Sequence, residues 1–145
     1  MTLATPAAAQ GWHETQLWAV GLTSKPAVLA GGLGLGWRDA GRTRISVALA
    51  GGAADGGRPA GRAELAWHFL LDPGKRKGMS VYGGGGVAVT AIQYAKVRPW
   101  LQVLAGIESS PGARSGWFLE GGFGGGLRVA TGLRFRTRHT NAPSR

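Results

Sequence analysis

A chain of 145 residues has room for one domain, and 43% hydrophobic content beside 27 glycines separates it from disordered and low-complexity chains. No apolar run reaches the length of a membrane-spanning helix, and the absence of cysteine removes disulfides, thiolate metal sites and cysteine nucleophiles together. The formal charge of +10 would suit nucleic acid, but the basic residues form no stripe or arm, Lys75-Arg76-Lys77 in a plain turn being the nearest thing to a cluster, so no nucleic-acid partner is expected.

Residues 1–10 read as the end of a secretory signal peptide, with Ala7-Ala8-Ala9 as the cleavage site, so an exported chain is expected. Between Ala27 and Phe135 large apolar residues alternate with Gly, Ala, Ser or charge, which is the two-residue period of a strand, and a β-barrel is expected over residues 11–138. About eight hairpin-linked strands of roughly ten residues fit this span. The first covers residues 12–23. Its parity is ambiguous, because Trp18, Val20 and Leu22 share a face with Glu14 and Gln16, and a bulge would resolve the conflict. Ser24-Lys25-Pro26 turns the chain into a second strand, 27–38, where Gly32, Gly34 and Gly36 alternate with Leu33, Leu35 and Trp37.

Asp39-Ala40-Gly41-Arg42 has the chemistry of a tight turn. The third strand, 43–50, sets Arg44, Ser46 and Ala48 opposite Ile45, Val47 and Leu49, and a longer Gly/Ala/Asp/Pro connection over 51–60 follows. The fourth, 61–71, places Arg62, Glu64, Ala66 and His68 on one face, and Asp72-Pro73-Gly74 with the basic triplet turns the chain again. A fifth strand, 79–92, carries Val81, Val87 and Val89 outward, although its Gly83–Gly86 run would be poor in a soluble sheet. The sixth, 97–108, puts Gln102, Gly106 and Glu108 inward. The seventh, 116–124, has Trp117, Leu119 and Phe123 outward, and the eighth, 127–137, sets Leu127, Val129, Leu133 and Phe135 against Arg128, Gly132, Arg134 and Arg136. Residues 139–145 form a polar tail.

The face opposite the apolar one is small and glycine-rich, punctuated by Arg and Glu. Apolar outside with a small, charged inside predicts an all-β fold, an antiparallel up-and-down transmembrane β-barrel of about eight strands. A soluble ligand-binding barrel would invert that pattern and need a charged outer face. Trp37, Trp67, Trp117, Trp12 and Phe135 are expected at one membrane edge, with Trp18 and Trp100 at the other, as two aromatic girdles. Eight strands leave an interior just wide enough for side chains to fill. Arg38, Arg44, Arg62, Arg128, Arg134 and Arg136 are therefore expected to pair there with Glu64, Glu108 and Glu120, alongside His68, in a lumen that is plugged rather than open.

The alternating strands, the aromatic edges and the closing Ala130-Thr131-Gly132-Leu133-Arg134-Phe135-Arg136 resemble the small outer-membrane β-barrel family of OmpA/OmpX type, over residues 12–137. The last stretch resembles the C-terminal signal by which such barrels are recognised for assembly, although here a polar tail follows it. The resemblance implies residence in the outer membrane of a Gram-negative cell envelope, membrane lipid as a partner, and a structural, anchoring or interaction role. Some members modify lipid A, so a lipid A-modifying enzyme is the alternative. His68 lacks the neighbouring Ser that a deacylase would place beside it, and neither a metal spacing nor a phosphate-binding loop is present. No catalytic residue and no cofactor is expected. Lipopolysaccharide phosphates could meet the basic turns, and the outward glycines Gly83, Gly85 and Gly121 are flat places where a second copy of the chain could approach.

Overall fold

The computed structural model describes residues 11–39 and 42–138. The expected leader (1–10), the tail (139–145) and two residues of the 39–42 turn lie outside them. Eight strands follow one another: β1 (Trp12–Leu22), β2 (Val28–Arg38), β3 (Thr43–Ala54), β4 (Arg58–Leu70), β5 (Met79–Ile92), β6 (Arg98–Ser109), β7 (Ser115–Phe123) and β8 (Leu127–Arg138). Each pairs antiparallel with its sequence neighbours, and β1 closes on β8 from Trp12↔Arg138 to Leu22↔Arg128, giving a closed eight-stranded barrel without an edge.

The third hairpin departs from expectation. Residues 51–54 and 58–60, read as a loop on their Gly, Ala, Asp and Pro content, continue the β3–β4 ladder from Gly51↔Gly61 to Ala54↔Arg58. Only a three-residue turn, Asp55–Gly57, joins the strands, and Gly56 and Gly57 supply its left-handed backbone (φ 80° and 77°). Backbone pairing needs no bulky side chains, so small residues extend a strand wherever its neighbour is in register.

Strand 1 runs without a bulge against both partners. Its inward residues are Glu14, Trp18, Val20 and Leu22, all buried. The parity conflict therefore disappears: charge and large apolar residues share the lumen.

Several inward glycines exist because the small barrel bends too sharply for a side chain. A Cβ on Gly32 would run into the Leu49 carbonyl, one on Gly84 into the Trp67 carbonyl and one on Gly86 into the Leu65 carbonyl. At Gly106 a Cβ would meet the Leu119 carbonyl at 2.8 Å and also the Tyr82 ring at 2.6 Å. The glycine run that weakens a flat sheet thus lets this one close.

The outer wall is apolar: Leu33 is 63% exposed, Trp67 61% and Leu101 83%. The inner wall divides in two. Beside the turns remote from the termini, Trp18, Val20, Leu22, Val28 and Ala54 build an apolar cluster with Phe118 and Ala130. The rest of the lumen is ionic, from the terminal mouth to Arg62 and Arg128 beside this cluster.

Candidate functional site

The ionic lumen is assembled by parity. On each strand the residues two apart that include a charge point inward, and all eight strands contribute: Glu14 from β1, Arg38 from β2, Arg44 from β3, Arg62, Glu64 and His68 from β4, Tyr82 from β5, Glu108 from β6, Glu120 from β7, and Arg128, Arg134 and Arg136 from β8. Each of them is buried.

Glu108 is the hub nearest the termini. Its carboxylate accepts from Arg134 Nη1 at 2.7 Å, Arg136 Nη2 at 3.1 Å and Arg44 Nη1 at 3.1 Å. Glu14 shares two of those cations, with Arg44 Nη1 and Arg136 Nε each at 3.3 Å, and adds Arg38 Nη1 at 3.6 Å. Arg38 also donates to the Pro111 carbonyl at 2.9 Å, and Arg136 to the carbonyls of Ser110 and Ala113, so the network holds the β6–β7 connection across the barrel mouth.

Deeper in, Glu64 takes Arg62 Nε at 2.6 Å and a two-pronged contact from Arg128, Nη2 at 2.8 Å and Nε at 3.0 Å. Glu120 lies 2.6 Å from Arg128 Nη1 and 3.5 Å from His68 Nε2, and accepts from the Tyr82 hydroxyl at 2.7 Å. Tyr82 joins the two ionic groups, because the Arg44 and Arg134 guanidiniums both lie over its ring, at 5.0 and 5.1 Å. Arg134 also stacks on Phe118 at 4.0 Å.

Between these groups lies an interior cavity of about 10 Å³, lined by Ser46, His68, Glu120 and Arg134 among others. A water needs at least that much. This cavity is about the size of a single water. Among the described residues no group of three His, Cys, Asp or Glu side chains could hold a metal ion.

The expected girdle residues separate into two sets. Trp37, Trp67, Trp117 and Phe135 face outward, 42–61% exposed. Trp12, Trp18 and Trp100 do not. Trp18 is 4% exposed and sits in the lumen with the Arg128 guanidinium 5.7 Å from its ring. Trp12 caps the terminal mouth beneath Arg38 and Arg138, at 5.1 and 4.4 Å. Trp100 shares the inward parity of Gln102 and Leu104 and packs on Gly125, where a Cβ would meet its ring at 2.9 Å. Aromatic size suggested a membrane-facing role, whereas alternation with Glu14 and Gln102 decides the side. The same alternation brings in the network members that charge alone left out, Glu14 and Tyr82. Gly83, Gly85 and Gly121 lie on the outer wall, Gly83 and Gly121 both paired with Ala105.

No protein-family model matches the chain, and no curated protein matches its sequence. Its fold matches solved structures. The N-terminal β-barrel domain of Pseudomonas aeruginosa OprF superposes with a TM-score of 0.70 at 14% identity, over 89% of this chain and 99% of that one. Neisserial surface protein A (NspA) gives 0.63 at 9% identity, over 86% and 96%. The designed protein TMB2.3 gives 0.56 at 15% identity, over 89% and 96%. The chain thus has the fold of the small eight-stranded transmembrane barrels, reached through a sequence far from theirs.

Proposed function

We propose that this chain is a non-enzymatic barrel of the outer membrane with a structural or anchoring role, its lumen closed by the Arg/Glu network. The observation that carries this reading is the inversion of the two walls. Large apolar side chains such as Leu33, Leu49, Leu101 and Val103 face outward around the barrel, where water would penalise them and acyl chains would not. The charges face inward and are paired, the arrangement that buried ions require.

The sealed interior supports a role without chemistry. Ser46, His68 and Glu120 line the same cavity, a trio of the types used in acyl transfer. With about 10 Å³ between them, no acyl group can enter. The fold shared with the OprF barrel domain and with a neisserial surface protein favours the outer membrane over other bilayers.

Density-gradient separation of cell envelopes, followed by planar-bilayer recording on the purified barrel, tests both halves. The barrel is expected in the outer-membrane fraction and without conductance steps. Stable ion-conducting steps would contradict the closed lumen, and recovery in the cytosolic fraction would contradict the location.

A further inference from the structure

The closed lumen leaves a vestibule at the barrel mouth remote from the termini, formed where the β1–β2, β5–β6 and β7–β8 connections meet. Its volume is about 300 Å³, the lower end of small-ligand sites. Leu22, Ile92 and the Trp100 ring supply large apolar parts of its lining. Trp100 is held in place by Gly125, whose backbone (φ 87°) and missing Cβ let the ring lie against it. Below, Thr90 closes the floor, fixed by a hydrogen bond from Arg62 at 2.9 Å.

Three cations line this same vestibule, Lys25, Lys96 and Arg98, and no acidic residue does. All three are exposed, and among the described residues none of their side chains has an ion-pair or hydrogen-bond partner. The contrast with the rest of the molecule is informative. The buried arginines are engaged with carboxylates, and Asp55, the acid near this mouth, accepts from the Ala27 backbone N–H at 2.8 Å. Unpaired cations around an apolar cup form a complementary surface for an amphiphilic anion, the charge fixing the head and the cup taking the body.

We propose that this vestibule binds a small soluble amphiphile with an oxyanion head, such as a short-chain alkyl phosphate or carboxylate, the apolar part resting on Leu22, Ile92 and Trp100. The site lies within the barrel mouth rather than on the outer wall, which favours a solute over a bilayer lipid. The inference depends on the barrel alone and stands whether or not the outer-membrane reading does.

The test uses the full chain in an uncharged detergent, titrated separately with hexyl phosphate, inorganic phosphate and hexanol. Tryptophan emission and calorimetry are both read, with Trp100→Phe identifying the Trp100 signal. Hexyl phosphate should saturate with at least tenfold higher affinity than either half-molecule. The Lys25→Gln, Lys96→Gln, Arg98→Gln triple variant should lose at least tenfold while keeping its folded mobility on a cold gel. A response that does not saturate, or is equal in the triple variant, would reduce the effect to partition into micelles and overturn the site. Equal binding of hexanol would remove the role of the cations, and equal binding of inorganic phosphate would remove that of the cup. Repeating the titration in nanodiscs separates the sources. Undiminished binding in phosphatidylglycerol discs supports a soluble ligand, and competition there would assign the vestibule to a lipid headgroup instead.

Discussion

The lumen is filled in two ways, and the two parts respond differently to damage. Around Trp18, Val20, Leu22 and Val28 apolar side chains touch as they do in any protein core. Loss of one leaves a cavity whose cost scales with its size. Around Glu108 and Glu64 a few carboxylates each hold several guanidiniums from different strands. Loss of one acid there takes charge compensation from two or three buried cations at once, and the penalty belongs to those left behind. The apolar cluster therefore fails locally, the ionic network collectively. Six arginines against four glutamates make the acids the scarce component.

That scarcity makes the loss of a shared acid the costliest change. Glu108→Ala takes a carboxylate from three buried arginines at once, leaving Arg44 and Arg136 to Glu14 alone and Arg134 to Glu120 at 3.9 Å, and should lower unfolding stability by about 4 kcal/mol, measured by reversible urea unfolding in vesicles. A cost near that of a surface substitution would mean that water already satisfies those arginines. Trp18→Ala tests the other part and should cost about 3 kcal/mol, as large-to-small core substitutions do. If Trp18 instead faced lipid as a girdle residue, Trp18→Ala and Trp67→Ala would weaken the protein alike. In the lumen assignment Trp18→Ala costs clearly more.

The outer wall supplies a third comparison. Leu33 lies midway along β2 and faces outward. Leu33→Arg should cost about 2–3 kcal/mol through burial of a charge in the bilayer, whereas Leu33→Ala should cost less. In a soluble barrel the arginine would be tolerated and would raise solubility. The smallest effect belongs to the basic turn: replacing Lys75, Arg76 and Lys77 with Gln should leave stability within about 0.5 kcal/mol. The same variant should weaken adsorption to anionic vesicles at low salt, and unchanged adsorption would remove that turn as a headgroup contact.

Much of the fold was legible in the alternation itself. The ends of β5 at Met79 and Ile92 and the start of β8 at Leu127 fall where the period-two pattern places them. What composition obscured was the β3–β4 hairpin, because Gly51, Gly52 and Ala53 look like a loop until a partner strand lies in register. Size obscured the site in a similar way. Trp12, Trp18 and Trp100 were drawn to the membrane edges by their aromatic character, yet each is an even number of residues from an inward polar group: Glu14, Glu14 and Gln102. Parity is geometric and binds every residue of an unbulged strand, whereas aromatic preference is a tendency that a cramped lumen overrides. The sharing of Glu108 among three arginines could not be read beforehand, since it depends on how β3, β6 and β8 face one another across the interior.

A closed membrane barrel, stoppered from within as proposed, should resist detergent at room temperature, which a heat-modifiability gel on protein folded in detergent reads. An unboiled sample that migrates apart from the boiled one, with the difference lost in Glu108→Ala at lower temperature than in wild type, is the predicted result. Identical migration of both samples, with the protein soluble in plain buffer, would contradict it.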